Sequence, residues 1–198
     1  MKTLYQWFIA AASIGCLLVS TAPAAVDMFL DLGEIEGEAT DEFHDGEIDI
    51  EGFAWGLSNS GRPARGKGGS AGKANFQDIS FFKFADAASP PLFLACATGQ
   101  RFEDATFTVR YEAESPAAAP PRAEDEFLVI TLEDVLVSSV AHQASTQGEE
   151  GTLVESITLN FAKITIDYTP LGLDGQPGET ITVSYNVKKN RVDPEDEE

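Results

Sequence analysis

Cysteine is almost missing from this chain: among 198 residues only Cys16 and Cys96 carry a thiol. Cys16 lies in an N-terminal apolar run, so the remainder holds one thiol and no intramolecular disulfide is possible. Cys96 ends the run Leu92-Phe93-Leu94-Ala95-Cys96 and reads as a small buried hydrophobe. Positive charge is scarce too. Thirteen Lys and Arg stand against 33 Asp and Glu, a formal net charge of −20. That balance disfavours partners bound through phosphates, so neither nucleic acid nor an anionic membrane is expected. The only histidines are His44 and His142, in different predicted elements, and neither H-x-x-x-H nor C-x-x-C occurs.

Other chemical templates fail in turn. Eleven carboxylates and no basic residue lie between Asp27 and Glu51, which raises the question of calcium. The stretch beginning at Asp41 puts Phe43 at the third position of the EF-hand loop and Gly52 at the twelfth, where Glu is required. Lys67 and Lys73 sit in or beside a Gly-rich stretch but are followed by Gly and Ala, not by the Ser or Thr of a phosphate loop. A carboxylate pair for glycoside hydrolysis is always available among 33 acids, so its presence carries no information. No catalytic residue, metal or cofactor is assigned, and the chain is not read as an enzyme.

The first 24 residues read as a cleavable secretory leader. Lys2 is followed by the apolar run Trp7–Val19 and the small-x-small sequence Ala22-Pro23-Ala24, which places cleavage after Ala24. The run is shorter than the roughly 20 apolar residues a membrane span requires, so no membrane association is expected after cleavage. Cleavage removes Lys2 and brings the net charge to −21. The exported product would be periplasmic or extracellular. If translation instead begins near Val26, the protein is cytoplasmic before secretion.

What is abundant is alternation. Asp125–Gln143 and Thr152–Pro170 are rich in Val, Ile, Leu, Thr and Phe and flank the polar segment Ala144–Gly151, the pattern of a long β-hairpin. Within the second run, Ile157, Leu159 and Phe161 hand over to Ile164, Ile166 and Tyr168, a change of buried face that a bent sheet requires. Alternation also marks Glu47–Glu51, with a parity break at Gly52, and Thr180–Val187. Further strands are expected near Val26–Leu32, Ala74–Phe84 and Arg101–Glu112. One helix is expected over Leu92–Thr98, with Ser89 as N-cap, Pro90 in the first turn and Gly99 as C-cap. Phe127, Val129, Val135 and Val137 occupy one parity of a strand whose other parity is also apolar. Such a strand is covered on both faces, by the core or by a neighbouring subunit.

Three segments fall outside this pattern. Gly61–Gly72 has five Gly and the cations Arg62, Arg65 and Lys67, and reads as a long extended loop. Glu114–Arg122 is a Pro/Ala-rich connection, and residues 189–198 end in an acidic tail expected to be disordered.

Six ordered blocks then carry a family resemblance. They are Val26-Asp27-Met28-Phe29; Glu47-Ile48-Asp49 with Trp55-Gly56-Leu57-Ser58 and Ser60-Gly61; and Gly72-Lys73 with Gln77-Asp78, Ser80-Phe81 and Lys83. Ser89-Pro90 through Cys96 and Gly99 follow, then Ile130-Thr131-Leu132-Glu133 with Val135 and Val137-Ser138-Ser139-Val140, and finally Leu159-Asn160-Phe161. Together these resemble the haemolysin-coregulated protein (Hcp) family, the inner-tube proteins of type VI secretion. The resemblance spans nearly all of residues 25–188. It implies an all-β fold, a curled two-sheet β-barrel with one short helix and a long extended loop. It also implies a homo-hexameric ring that stacks into a tube, carries effectors in its lumen and works with spike and sheath proteins. Arg62, Arg65 and Lys67 would then lie in the ring-stacking loop, and Phe127, Val129, Val135 and Val137 in a core or interface strand. The other class left open is an exported monomeric β-domain that binds a ligand or surface.

Overall fold

A computed structural model describes residues 25–61, 73–112, 126–145, 152–172 and 176–192. In chain order the elements are β1 (Val26–Asp31), β2 (Ile48–Asp49), β3 (Gly52–Ala54), β4 (Leu57–Asn59), β5 (Ala74–Phe76) and β6 (Ile79–Phe84). Helix α1 (Ser89–Thr98) follows, then β7 (Arg101–Tyr111), β8 (Glu126–Ser145), β9 (Thr152–Asn160), β10 (Lys163–Tyr168), β11 (Ile181–Asn186) and β12 (Arg191–Val192).

The expected hairpin organises the sheet. β8 is a 20-residue strand. Its first half pairs with β7 on one side and β10 on the other, and its second half pairs with β9. The anticipated face change is real and occurs on both arms. On β8, Ile130 and Leu132 point into the core before Asp134, and Val135 and Val137 do so after it. Asp134 itself has φ of 56°, a left-handed residue that resets the parity. Opposite it, Phe161 and Ala162 separate β9 from β10, and the Ala162 N–H donates to the Glu133 carbonyl at 2.9 Å.

Two-sided apolarity along β8 is therefore in part a face exchange. Val135 and Val137 are buried core residues, 0% and 2% exposed, whereas Phe127 and Val129 are half-buried.

The all-β class holds, and the barrel does not close. The main path runs β12-β11-β10-β8-β7-β1-β2, all antiparallel, with β9, β6 and β3 branching from the far half of β8 and β4-β5 forming a separate ribbon. The branch folds over the main path. Phe81 of β6 meets Phe107 of β7 edge-on with centroids 5.8 Å apart, and Phe53 of β3 approaches Phe107 at 5.7 Å. Burying such side chains contributes roughly 1.5–3 kcal/mol each. Gly52 marks the crossing between layers, since β2 pairs with β1 and β3 with β6. The single strand expected over Ala74–Phe84 is split at Gln77-Asp78. There the Asp78 carboxylate accepts from Ser138 Oγ and Asn160 Nδ2, each at 2.8 Å.

Helix α1 packs on β8 through Leu92 and Ala95. Gly99 closes it at φ of 69°, as expected for a left-handed C-cap. Ser89 does not cap it. The hydroxyl turns instead to Glu155 at 2.7 Å and accepts from the Asp86 N–H at 3.1 Å. Cys96 is a free, partly buried thiol packed against the core.

Candidate assembly surface

Among the described residues no group of three or more His, Cys, Asp or Glu is arranged to hold a metal. Polar chemistry inside the fold is concentrated in two ionic networks. In the first, Lys83 is 0% exposed and its Nζ lies 3.1 Å from Glu155 Oε2 and 2.6 Å from Asp86 Oδ1. It also donates to the Phe84 carbonyl at 2.7 Å and to Ser89 Oγ at 3.1 Å. His142 Nδ1 adds a contact to Glu155 at 2.9 Å. Burial pushes the Glu155 carboxyl upward, but hydrogen bonds from Ser89 and Lys83 outweigh it and hold the group below the usual range.

The Ser89–Lys83 contact has the composition of a nucleophile and base. Both groups are engaged elsewhere: Lys83 Nζ lies between Glu155 and Asp86, and Ser89 Oγ donates to Glu155. This network fastens β6, β9 and α1 together.

The second network centres on Arg110, which is 4% exposed. Its guanidinium donates to Asp27 Oδ2 at 3.1 Å, donates to both oxygens of Asp41, and lies 5.0 Å from the Phe29 ring centroid. The Arg110 hydrogen bond holds Asp41 at about 2. Phe29 also stacks on His44, centroids 4.3 Å apart, and His44 Nδ1 meets Glu47 at 3.0 Å. The acidic segment 33–47, irregular apart from one isolated bridge at Ile35, is thereby pinned to β1 and β7.

Outside these networks the charge is unevenly distributed. A cleft of about 470 Å³ beside β1 is lined by Asp27, Glu38, Asp49, Glu51 and Asp86, among others. Desolvation, and then repulsion from Asp86, Asp27 and Asp41, pushes Asp49 upward. At the opposite edge of the sheet, Lys188, Lys189 and Arg191 are exposed at the β11–β12 turn. Asp134 binds Lys188, and accepts from Arg101 Nε at 2.6 Å.

The same edge is apolar. Ile181 and Val183 share a face with Tyr185, which packs on the core, but they run past the end of the core and stand 59% and 56% exposed. β12 covers only Tyr185 and Asn186, so the Ile181–Ser184 backbone has a single strand neighbour among the described residues.

The residues singled out from sequence fare differently. Arg62, Arg65, Lys67 and Ala24 lie outside the described residues. Val135 and Val137 belong to the core. Phe127 stacks on Tyr111 with centroids 4.3 Å apart, and Val129 lies opposite Asp167 of β10 and Thr108 of β7. Sequence reasoning missed the open β11 face, because alternation looks the same whether a face is covered or bare. It also missed Arg110, whose partners are 69 and 83 residues away.

Comparison with known proteins supplies the family. The sequence profile of the family described as Type VI secretion system effector, Hcp, matches residues 29–168. Protein hcp1 of Pseudomonas aeruginosa is 41% identical over 167 residues, covering 84% of this chain and 98% of that protein. The solved structure of a type six secretion system protein superposes with a TM-score of 0.76 at 27% identity, covering 85% of this chain and 100% of that one. Hcp1 from Salmonella typhimurium superposes with a TM-score of 0.63, also at 27% identity, covering 85% and 99%. The chain belongs to the Hcp family of type VI secretion proteins.

Proposed function

We propose that this protein is a self-assembling tube subunit of a type VI secretion system. Six copies form a ring, rings stack into a hollow tube, and the lumen carries effectors. The observation that carries this reading is the 41% identity to protein hcp1 across 98% of that protein's length. Its physical counterpart is a sheet with open edges, on which Ile181 and Val183 continue the core face and stand more than half exposed among the described residues. The role is structural. The Ser89–Lys83 pair is locked by carboxylates and has no catalytic part.

Residues 1–24 act as a leader cleaved after Ala24, residues 25–188 with the adjoining β12 form the assembling domain, and the acidic tail beyond β12 is a solvated end. Arg62, Arg65 and Lys67 form a basic patch that meets an acidic rim of the next ring and sets register more than affinity. Spike, sheath and effector proteins are the partners this role entails. Electron microscopy of the purified protein at low and high salt tests it. Rings and tubes are expected. A monomer in every condition would favour the alternative, an exported β-domain working outside a secretion machine.

A further inference from the structure

We infer that the seam between neighbouring subunits joins the basic, apolar β11–β12 edge of one copy to the acidic β1–β2 edge of the next. This rests on the ring reading above and specifies which surfaces meet.

The argument starts from the sheet order. β12 and β2 are the two ends of the path β12-β11-β10-β8-β7-β1-β2, so they form opposite edges of one sheet. One edge presents Lys189 and Arg191, both exposed, beside Ile181 and Val183 and the singly paired backbone of Ile181–Ser184. The other presents Asp49 and Glu51, both exposed, on the cleft beside β1, which Asp27, Glu38 and Asp86 also line. Arg110 satisfies Asp27 from inside. Asp49 has no such relief and is crowded by other carboxylates.

In a chain of net charge −20 most pairs of surfaces repel. The β11–β12 turn places three cations within four residues, and it lies on the edge that is also open and apolar. A contact between two different surfaces of identical subunits is heterologous, the kind that closes into rings. Opposite charge fixes which edge meets which, and the apolar strand supplies the burial.

The test uses two charge-reversed variants, K189E/R191E and D49K/E51K, each checked for native far-UV circular dichroism and then examined by analytical ultracentrifugation. Each alone carries two edges of like charge and is expected to associate at least about tenfold more weakly than wild type. An equimolar mixture restores every seam, because each edge again faces its opposite, and alternating rings are expected to return. If either reversal disturbs folding, the milder pair K189Q/R191Q and D49N/E51Q replaces it, with a smaller loss expected from each. Variants that form rings as readily as wild type, or a mixture that fails to recover, would overturn the seam and leave the ring reading intact. A wild type that stays monomeric overturns both.

Discussion

Two buried cations among the described residues, Lys83 and Arg110, are held in contrasting ways. Lys83 is sealed: it is fully buried, Glu155 is 1% exposed, and the contacts come from β6, β9 and α1. Arg110 sits at a boundary. One of its carboxylates, Asp41, belongs to an irregular acidic loop, and the other, Asp27, is 36% exposed and lines the cleft. The first network is an internal fastening in which Lys83 is set between Glu155 and Asp86, with the Lys83–Glu155 pair shut off from solvent. The second fixes an acidic segment against the sheet and leaves further carboxylates facing outward. A sealed fastening and an outward-facing acidic surface thus arise from the same kind of ion pair, separated by where its acidic partner is anchored.

The sharpest way to break the comparison is Lys83→Met. Removing the cation strands Glu155 in the interior, and a loss of roughly 3–5 kcal/mol is expected in urea unfolding. The double variant Lys83→Met/Glu155→Met recovers most of it, since an apolar pair of similar volume replaces a desolvated ion pair. If the double variant is as unstable as the single one, the network does more than neutralise itself.

Arg110→Met costs less, about 2–3 kcal/mol, because Asp27 can rehydrate while Asp41 cannot. It also loosens the loop, so amide exchange quickens across residues 33–47 while β8 stays protected.

Acid separates the networks further. Asp41 has its carboxyl depressed from 3.8 to about 2, so its contribution is complete above 3.8 and is lost as pH falls toward 2. This is worth about 2 kcal/mol and should disappear in Arg110→Met. Asp49 has the opposite sign: its carboxyl is raised, so it favours the fold at low pH and opposes it as pH rises through its folded value. Stability–pH profiles of Asp41→Asn and Asp49→Asn, each against wild type, check the two signs.

The smallest effect expected is that of Ser89→Ala, which removes the hydrogen bond to Glu155 and those accepted from Lys83 Nζ and the Asp86 N–H, and costs about 1–2 kcal/mol. A cost near zero would mean that Lys83 alone satisfies the carboxylate.

Much of the fold was legible because periodicity reports burial directly. The hairpin of β8 and β9, the hand-over from Phe161 to Ile164 and the cap at Gly99 were each readable from a few adjacent residues. The shape of the closure was not. Gly52 reads locally as a bulge, and only the pairing partners reveal it as a crossing between layers. Ser89 reads as a cap from its place before Pro90, yet a carboxylate 66 residues away competes successfully for its hydroxyl. The same limit applies to burial along the strands. Phe127, Val129, Val135 and Val137 share one parity, but the left-handed Asp134 sends the later pair into the core. An exposed apolar face lies on β11, where the alternation of Ile181 and Val183 gave no hint that they would stand uncovered among the described residues.

Mass in solution tests the central claim most directly. Size-exclusion chromatography with light scattering on residues 25–198, run at low and high salt, should give the mass of a hexamer. The assembly should tighten as added salt screens the excess negative charge. A stable monomer from micromolar to millimolar protein at every ionic strength would contradict the account.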